Sequence, residues 1–172
     1  MPSPKDISGF LLVGLAGAFA LLSRRTLAGE GPQSLGAVAT LAQFTVDRHK
    51  FNVDPKMAIR IAYIESSFNP SAIRYEPHLG DASIGLMQTL LGTARWLEVD
   101  MGHNSHTAST TSLLDAQVSM YFGCAYLHWL RRWRGSTRSD EWVVRSYNGG
   151  PGHGKATDDY WRKYREAREK LG

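Results

Sequence analysis

The chain has 172 residues, 42% hydrophobic and 21% charged, which suits one domain with a buried core, and it shows no repeats or low-complexity tracts. A net charge of +4 and a pI near 9.3 fit an anionic polymer as partner. One cysteine, Cys124, excludes an internal disulfide within this sequence.

The first element is apolar. Residues 7–22 carry no charge and, as a helix, reach roughly 24 Å, a little short of a bilayer core. Lys5, Arg24 and Arg25 at its flanks can snorkel to make up the difference. A membrane anchor, a cleaved signal peptide and a buried helix are the three readings. Arg24-Arg25, ahead of the weak cleavage string Thr26-Leu27-Ala28, fit a signal peptide poorly, so an uncleaved anchor is expected. Positive charge after the span would keep the following domain in the cytoplasm. The chain therefore divides into a segment over 1–28 and a domain over 29–172, joined by a Gly-rich linker at 29–33.

An amphipathic helix is expected over 35–50. Asp54 as N-cap and Pro55 at N1 open the next one. On it Ala58, Ile61, Ala62 and Glu65 follow the spacing of one helix face, broadened by Met57, Ile59 and Ile64. The string Glu65-Ser66-Ser67-Phe68-Asn69-Pro70 then breaks the helix, which puts Glu65 in the last turn. A carboxylate there faces the negative end of the helix dipole and apolar surroundings, and both raise its pKa. A carboxyl still protonated near neutral pH can serve as a general acid. The plain alternative is an ion pair with Arg60 or Arg74.

Residues 71–84 read as irregular, with Pro77 and Gly80, or as a small hairpin. A helix is expected over 89–99, a polar loop over 102–111 and an almost wholly apolar buried helix over 113–133. Ser139 caps a helix over 140–147, with Asn148-Gly149 as its left-handed C-cap. Asp158 starts the last helix, whose mixed charges read as a solvated face. The fold class is mainly α, with at most a small β-hairpin.

Two more strings join Glu65-Ser66. One is Gly80-Asp81-Ala82-Ser83-Ile84-Gly85-Leu86-Met87-Gln88, followed by Thr93-Ala94. The other is Ser146-Tyr147-Asn148-Gly149-Gly150-Pro151-Gly152. In this order and spacing, over about 100 residues from Val53 to Gly152, the sequence resembles the soluble lytic transglycosylase-like family, whose catalytic domain has a lysozyme-like α+β fold. The resemblance implies cleavage of the β-1,4 bond between N-acetylmuramic acid and N-acetylglucosamine in peptidoglycan, with a 1,6-anhydro product and no cofactor. It implies Glu65 as the single acid and base. Gln88 would hydrogen-bond substrate or the Glu, Tyr147 would position the Glu or the sugar, and Asn148 would hold its loop and contact substrate. Gly85 and Leu86 would shape the turn below the cleft, Ser66 would brace the helix end, and Leu90 stands where a Met is frequent.

The residue types agree. Glycine before Leu-Met-Gln permits a tight turn close to ligand. A Gln amide offers donor and acceptor to sugar hydroxyls and acetamides, and a Tyr offers an apolar face and a polar tip. Three departures stand out: Leu91 replaces a usual Pro, Arg74 replaces a frequent Ser, and the segment 74–79 is longer than usual. Its Tyr75, Glu76 and His78 are candidates to line the cleft.

Arg131, Arg132, Arg134 and Arg138 cluster around Trp129 and Trp133, but no nucleic-acid motif accompanies them. Cys124 lies in an apolar stretch and is expected to pack as a small hydrophobe. His49, His103, His106, His128 and His153 show no metal-ligand grouping, and no metal is expected. Three functions remain. The first is a peptidoglycan lytic transglycosylase. The second is a goose-type-like hydrolase pairing Glu65 with Asp81 or Glu76. The third is an anchored, non-catalytic glycan-binding protein. The partners expected are peptidoglycan strands, a membrane through 7–22, and virion or envelope-complex proteins. A phage virion component would reconcile the anchor's charge bias with a wall substrate.

Overall fold

A computed structural model describes residues 31–172. The expected anchor over 7–22 lies outside the described residues. Among those described, no helix is long and apolar enough to cross a membrane.

Helix α1 (Leu35–His49) begins at Ser34, whose side chain accepts from Ala37 N, and ends at Lys50 in the left-handed region. Helix α2 (Pro55–Ser66) opens as expected, with Asp54 accepting from Lys56 N and Pro55 at its start. Ala58, Ile61 and Ala62 are fully buried, so the stripe that carries Glu65 does face the core. The chain then turns through Ser67 and Phe68, both at positive φ, an uncommon conformation for residues with a Cβ.

A three-stranded antiparallel sheet follows. Strand β1 (Ile73–Glu76) pairs with β2 (Asp81–Ile84), Ile73 opposite Ile84 and Glu76 opposite Asp81. The expected hairpin is therefore present, closed by residues 77–80 with Gly80 at φ 61°. A two-residue β3 (Thr89–Leu90) adds to its far edge. Because Thr89 and Leu90 join the sheet, helix α3 (Leu91–Val99) starts two residues later than its apolar pattern suggests. Leu90 offers no side-chain cap. Asp81 supplies one from across the sheet, its Oδ2 accepting from Gly92 N at 2.9 Å.

The helix expected over 113–133 is shorter, running from Ala116 to Arg131, and a separate short helix forms at the end of the expected polar loop. Short α4 (Thr110–Leu113) carries a capping box between Ser109 and Ser112, and Asp115 then caps α5 (Ala116–Arg131). Helix α5 is the central one. Met120, Phe122, Cys124, Ala125, Leu127 and Leu130 are fully buried on it. Burial pushes the Cys124 thiol up to about 12, as befits an inert core residue. Around α5 pack α1, α2, α3, α4 and α6 (Asp140–Gly149). The last helix, α7 (Asp158–Leu171), crosses α2 and α6 and buries Tyr160, Tyr164 and Ala167.

Four histidines from three separate parts of the sequence meet beside α5. His49 packs edge-on to Tyr121 at 4.7 Å and His106 does so at 4.9 Å. His103 and His128 each lie 5.6 Å from Phe51. His128 Nδ1 accepts from Asn52 N at 2.7 Å. Burial holds all four below the usual imidazole value. Two of the four arginines in the cluster are engaged within the chain. Arg131 binds the Arg138 carbonyl and Asp140, and Arg138 binds the Trp133 carbonyl and stacks on Trp142.

Candidate active site

Glu65 opens onto a cleft of about 520 Å³, lined by α2, the hairpin, β3, α3, Tyr126 of α5 and the end of α6. Its carboxyl is half-buried, with one hydrogen-bond donor among the described residues. Tyr160 of α7 donates to Oε1 at 2.7 Å. Burial raises the Glu65 pKa, and Glu76 adds to that. The Tyr160 bond, Arg74 and Lys163 pull the other way without cancelling it. Neither arginine offered as a partner takes the carboxylate. Arg60 turns into the protein, against the Tyr164 hydroxyl at 3.3 Å, and Arg74 pairs with Glu76 at 2.6 Å.

Gln88, Leu90, Tyr147 and Asn148 line the same cleft. Ser66, Gly85 and Leu86 do not; they sit behind it and build its floor. Ser66 Oγ donates to the Leu86 carbonyl at 2.7 Å and fastens the end of α2 to the Gly-Leu-Met-Gln turn. Gly85 has φ 79°, and a Cβ there would stand 2.0 Å from the Leu113 carbonyl oxygen. Leu86 is fully buried. The turn is tied further by Gly85 N to the Ala72 carbonyl at 2.7 Å and by Met87 N to Ser119 Oγ at 3.0 Å.

Two side chains expected to bond either Glu65 or the sugar make no bond to Glu65. Both bonds of the Gln88 amide nitrogen go to backbone carbonyls, Ala72 at 2.9 Å and Gly85 at 3.0 Å, so it clamps the hairpin rather than Glu65. Gln88 is held at φ 48°, which strains the residue facing the cleft. The Tyr147 hydroxyl donates to the Met87 carbonyl at 2.9 Å and meets Thr89, not Glu65. Tyr160, from α7, makes the contact with Glu65 that was one of the two alternatives for Tyr147. Nothing in the three strings points to Tyr160. The available signal is the spacing of Tyr160, Tyr164 and Ala167, an apolar face on a highly charged helix.

Asn148 and Gly149 also differ. Helix α6 runs through both, and Gly150, at φ 73°, ends it. A Cβ on Gly149 would lie 2.6 Å from Thr157, so this glycine serves close packing instead of a cap. Of the hairpin candidates, Glu76 and His78 line the cleft, joined by Arg74 and Leu79. Tyr75 points to the opposite face of the strand and is 65% exposed. Glu76 is held below the ordinary carboxylate range by Arg74 and by the Ser83 hydroxyl. Asp81 lies outside the cleft lining, and both its oxygens accept backbone N–H groups, from Ala82 and Gly92. Among the described residues no group of three or more His, Cys, Asp or Glu could hold a metal ion.

This arrangement has relatives. The family model described as the Transglycosylase SLT domain matches residues 43–170. The chain belongs to that family. The SLT domain here is 32% identical, over 108 residues, to membrane-bound lytic murein transglycosylase C of Yersinia enterocolitica, covering 60% of this chain and 29% of that protein. Its fold matches the 70 kDa soluble lytic transglycosylase of Escherichia coli with a TM-score of 0.55 at 25% identity, over 74% of this chain and 19% of that one. The SLT domain thus spans under a third of the length of either relative.

Proposed function

We propose that this SLT domain is a peptidoglycan lytic transglycosylase that cleaves the MurNAc-β-1,4-GlcNAc bond and leaves a 1,6-anhydro-MurNAc end. One observation carries the reading: of the two carboxyls in the cleft, Glu65 is pushed up by burial with one phenol as its donor, while Glu76 is paired with Arg74. Protonated Glu65 gives its proton to the glycosidic oxygen as the C1–O bond breaks. The resulting carboxylate takes the proton of the muramyl C6 hydroxyl as that oxygen closes on C1. Glu65 ends the cycle protonated, and no water is consumed. The relatives' names, lytic transglycosylase in both cases and murein in one, agree with this substrate class.

Gln88 and Tyr147 hold the cleft wall through the Gly85 and Met87 carbonyls, while Leu90 and Asn148 face the sugar. Hydrolysis is the second reading, because Glu76 lines the same cleft. Glu76 is bound to Arg74 and Ser83, and Asp81 to two amides, so neither is placed as a free base for water. A non-catalytic glycan-binding protein is the third. Residues 7–22 would anchor the domain at the envelope, in a cell or a phage virion, facing the wall.

The test incubates the full chain with purified sacculi and identifies the released muropeptides by mass spectrometry, with Glu65→Gln in parallel. Anhydro ends that vanish in the variant support the proposal. Reducing ends would transfer the assignment to hydrolysis. No release by a folded chain would leave glycan binding alone.

A further inference from the structure

An aromatic strip leaves the cleft along α5 and α3. Tyr126, which lines the cleft, stacks on Trp129 at 5.8 Å with an interplanar angle of 14°. Trp129 meets Trp133 edge-on at 4.7 Å, and Trp96 of α3 meets Trp129 at 4.9 Å. Positions 126 and 129 share one face of α5, Trp133 follows in the 3-10 turn just past its end, and Trp96 stands one turn beyond Thr93, another cleft residue. Two helices thus carry aromatic rings outward from the same opening.

The outer end of the strip is built with some strain. Trp133 is half-exposed and, unlike Trp96 and Trp129, does not pack against the core cluster. Its turn runs through Arg134 at φ 55° and Gly135 at φ 73°. A left-handed arginine is sustained only where the surroundings over-determine it. Here Arg138 holds the Trp133 carbonyl, and the Arg134 guanidinium lies 5.6 Å from the Trp133 ring. Arg95, Arg132 and Arg134 are exposed beside the strip.

We infer that the glycan cleft continues over Tyr126, Trp129 and Trp133 as a second stretch of saccharide-binding surface, so that long peptidoglycan strands bind better than short ones. This rests on the proposed function. Indole and phenol faces take the apolar C–H faces of pyranose rings, and the neighbouring guanidiniums suit the carboxylates of stem peptides. Continuity with the cleft and that charge match select the occupant.

The test uses the full chain carrying Glu65→Gln and titrates it with a MurNAc–GlcNAc tetrasaccharide and octasaccharide, following tryptophan fluorescence. Turnover of both lengths is measured in the otherwise unmodified chain. The octasaccharide should bind more tightly and be cut with the higher kcat/KM. Trp133→Ala should reduce that advantage about tenfold, and Trp133→Tyr should keep most of it. Equal affinity for both lengths, or an unchanged advantage in a Trp133→Ala protein of unaltered Tm, would overturn the inference while anhydro products still supported the proposed function. Failure of both oligosaccharides to bind, together with no turnover, would remove both. A fluorescence response to a single-stranded DNA oligomer but to neither oligosaccharide would reassign the strip to nucleic acid.

Discussion

Glu65 sits among opposed influences, and each can be removed singly. Glu65→Gln keeps the shape and the acceptor for Tyr160 but cannot transfer a proton. Release of anhydro ends should fall by about 10²–10⁴, read by muropeptide analysis. The same change has a stability signature. The folded protein penalises the ionised form, so the wild-type Glu65 contribution is intact below the unfolded carboxyl value and lost as pH rises through the raised folded one. Thermal melts should therefore show Glu65→Gln more stable than wild type at pH 8 and level with it near pH 4. Tyr160→Phe removes a bond that favours the carboxylate. The Glu65 pKa then rises further, and the alkaline fall in kcat/KM should move to higher pH while kcat drops. An unshifted profile would count against Tyr160 as a positioning residue. Glu65 was legible in the sequence because an acid on an apolar stripe is costly unless it is used. Tyr160 was not, because a residue 95 positions away, on a helix of mixed charge, carries no local mark of its partner.

At the scale of elements, the cleft floor depends on a glycine. An added Cβ at Gly85 would meet a backbone oxygen at 2.0 Å and a φ of 79° at once. Neither obstacle is a side chain that can swing away. Gly85→Ala should cost about 3 kcal/mol or more, read from urea denaturation, and should disturb the Gln88 clamp with it. Ser66→Ala, which loses a bond between two elements, should cost only about 1 kcal/mol by the same measure. Helix starts were readable at Asp54 and Ser139, where a cap residue stands directly before the helical pattern. They were misread where the cap is supplied in space. Asp81 completes α3 from another strand, and Thr89-Leu90 leave the helical pattern for a sheet that periodicity cannot show. The start of α5 was misplaced because Leu113 and Leu114 extend its apolar pattern past Asp115, the residue that caps it. At the end of α6, close packing of Gly149 against Thr157 outweighed its local tendency to terminate a helix.

For the whole molecule, the histidine cluster sets a response to acid. His49, His103, His106 and His128 are neutral in the fold, facing one another as well as Arg48, Arg132 and Asp115. Their folded values lie below the unfolded one, so the stability they contribute is present above about pH 6.5 and is lost as pH falls through the folded values. The urea midpoint should drop between pH 7.5 and pH 5, and His103→Phe should flatten that drop. The individual histidines were visible in the sequence, but their meeting was not, since α1, the 103–106 loop and α5 come together only through the tertiary fold. The contact between Tyr160 and Glu65 has a consequence in time. Ribosomes emit chains N-terminus first at about 5–20 residues per second, so Glu65 waits roughly 5–20 s for the residue that orients it. A carboxyl that needs this contact is not oriented until Tyr160 has been made, so under the proposed function a chain that stops short of that residue should release no anhydro ends.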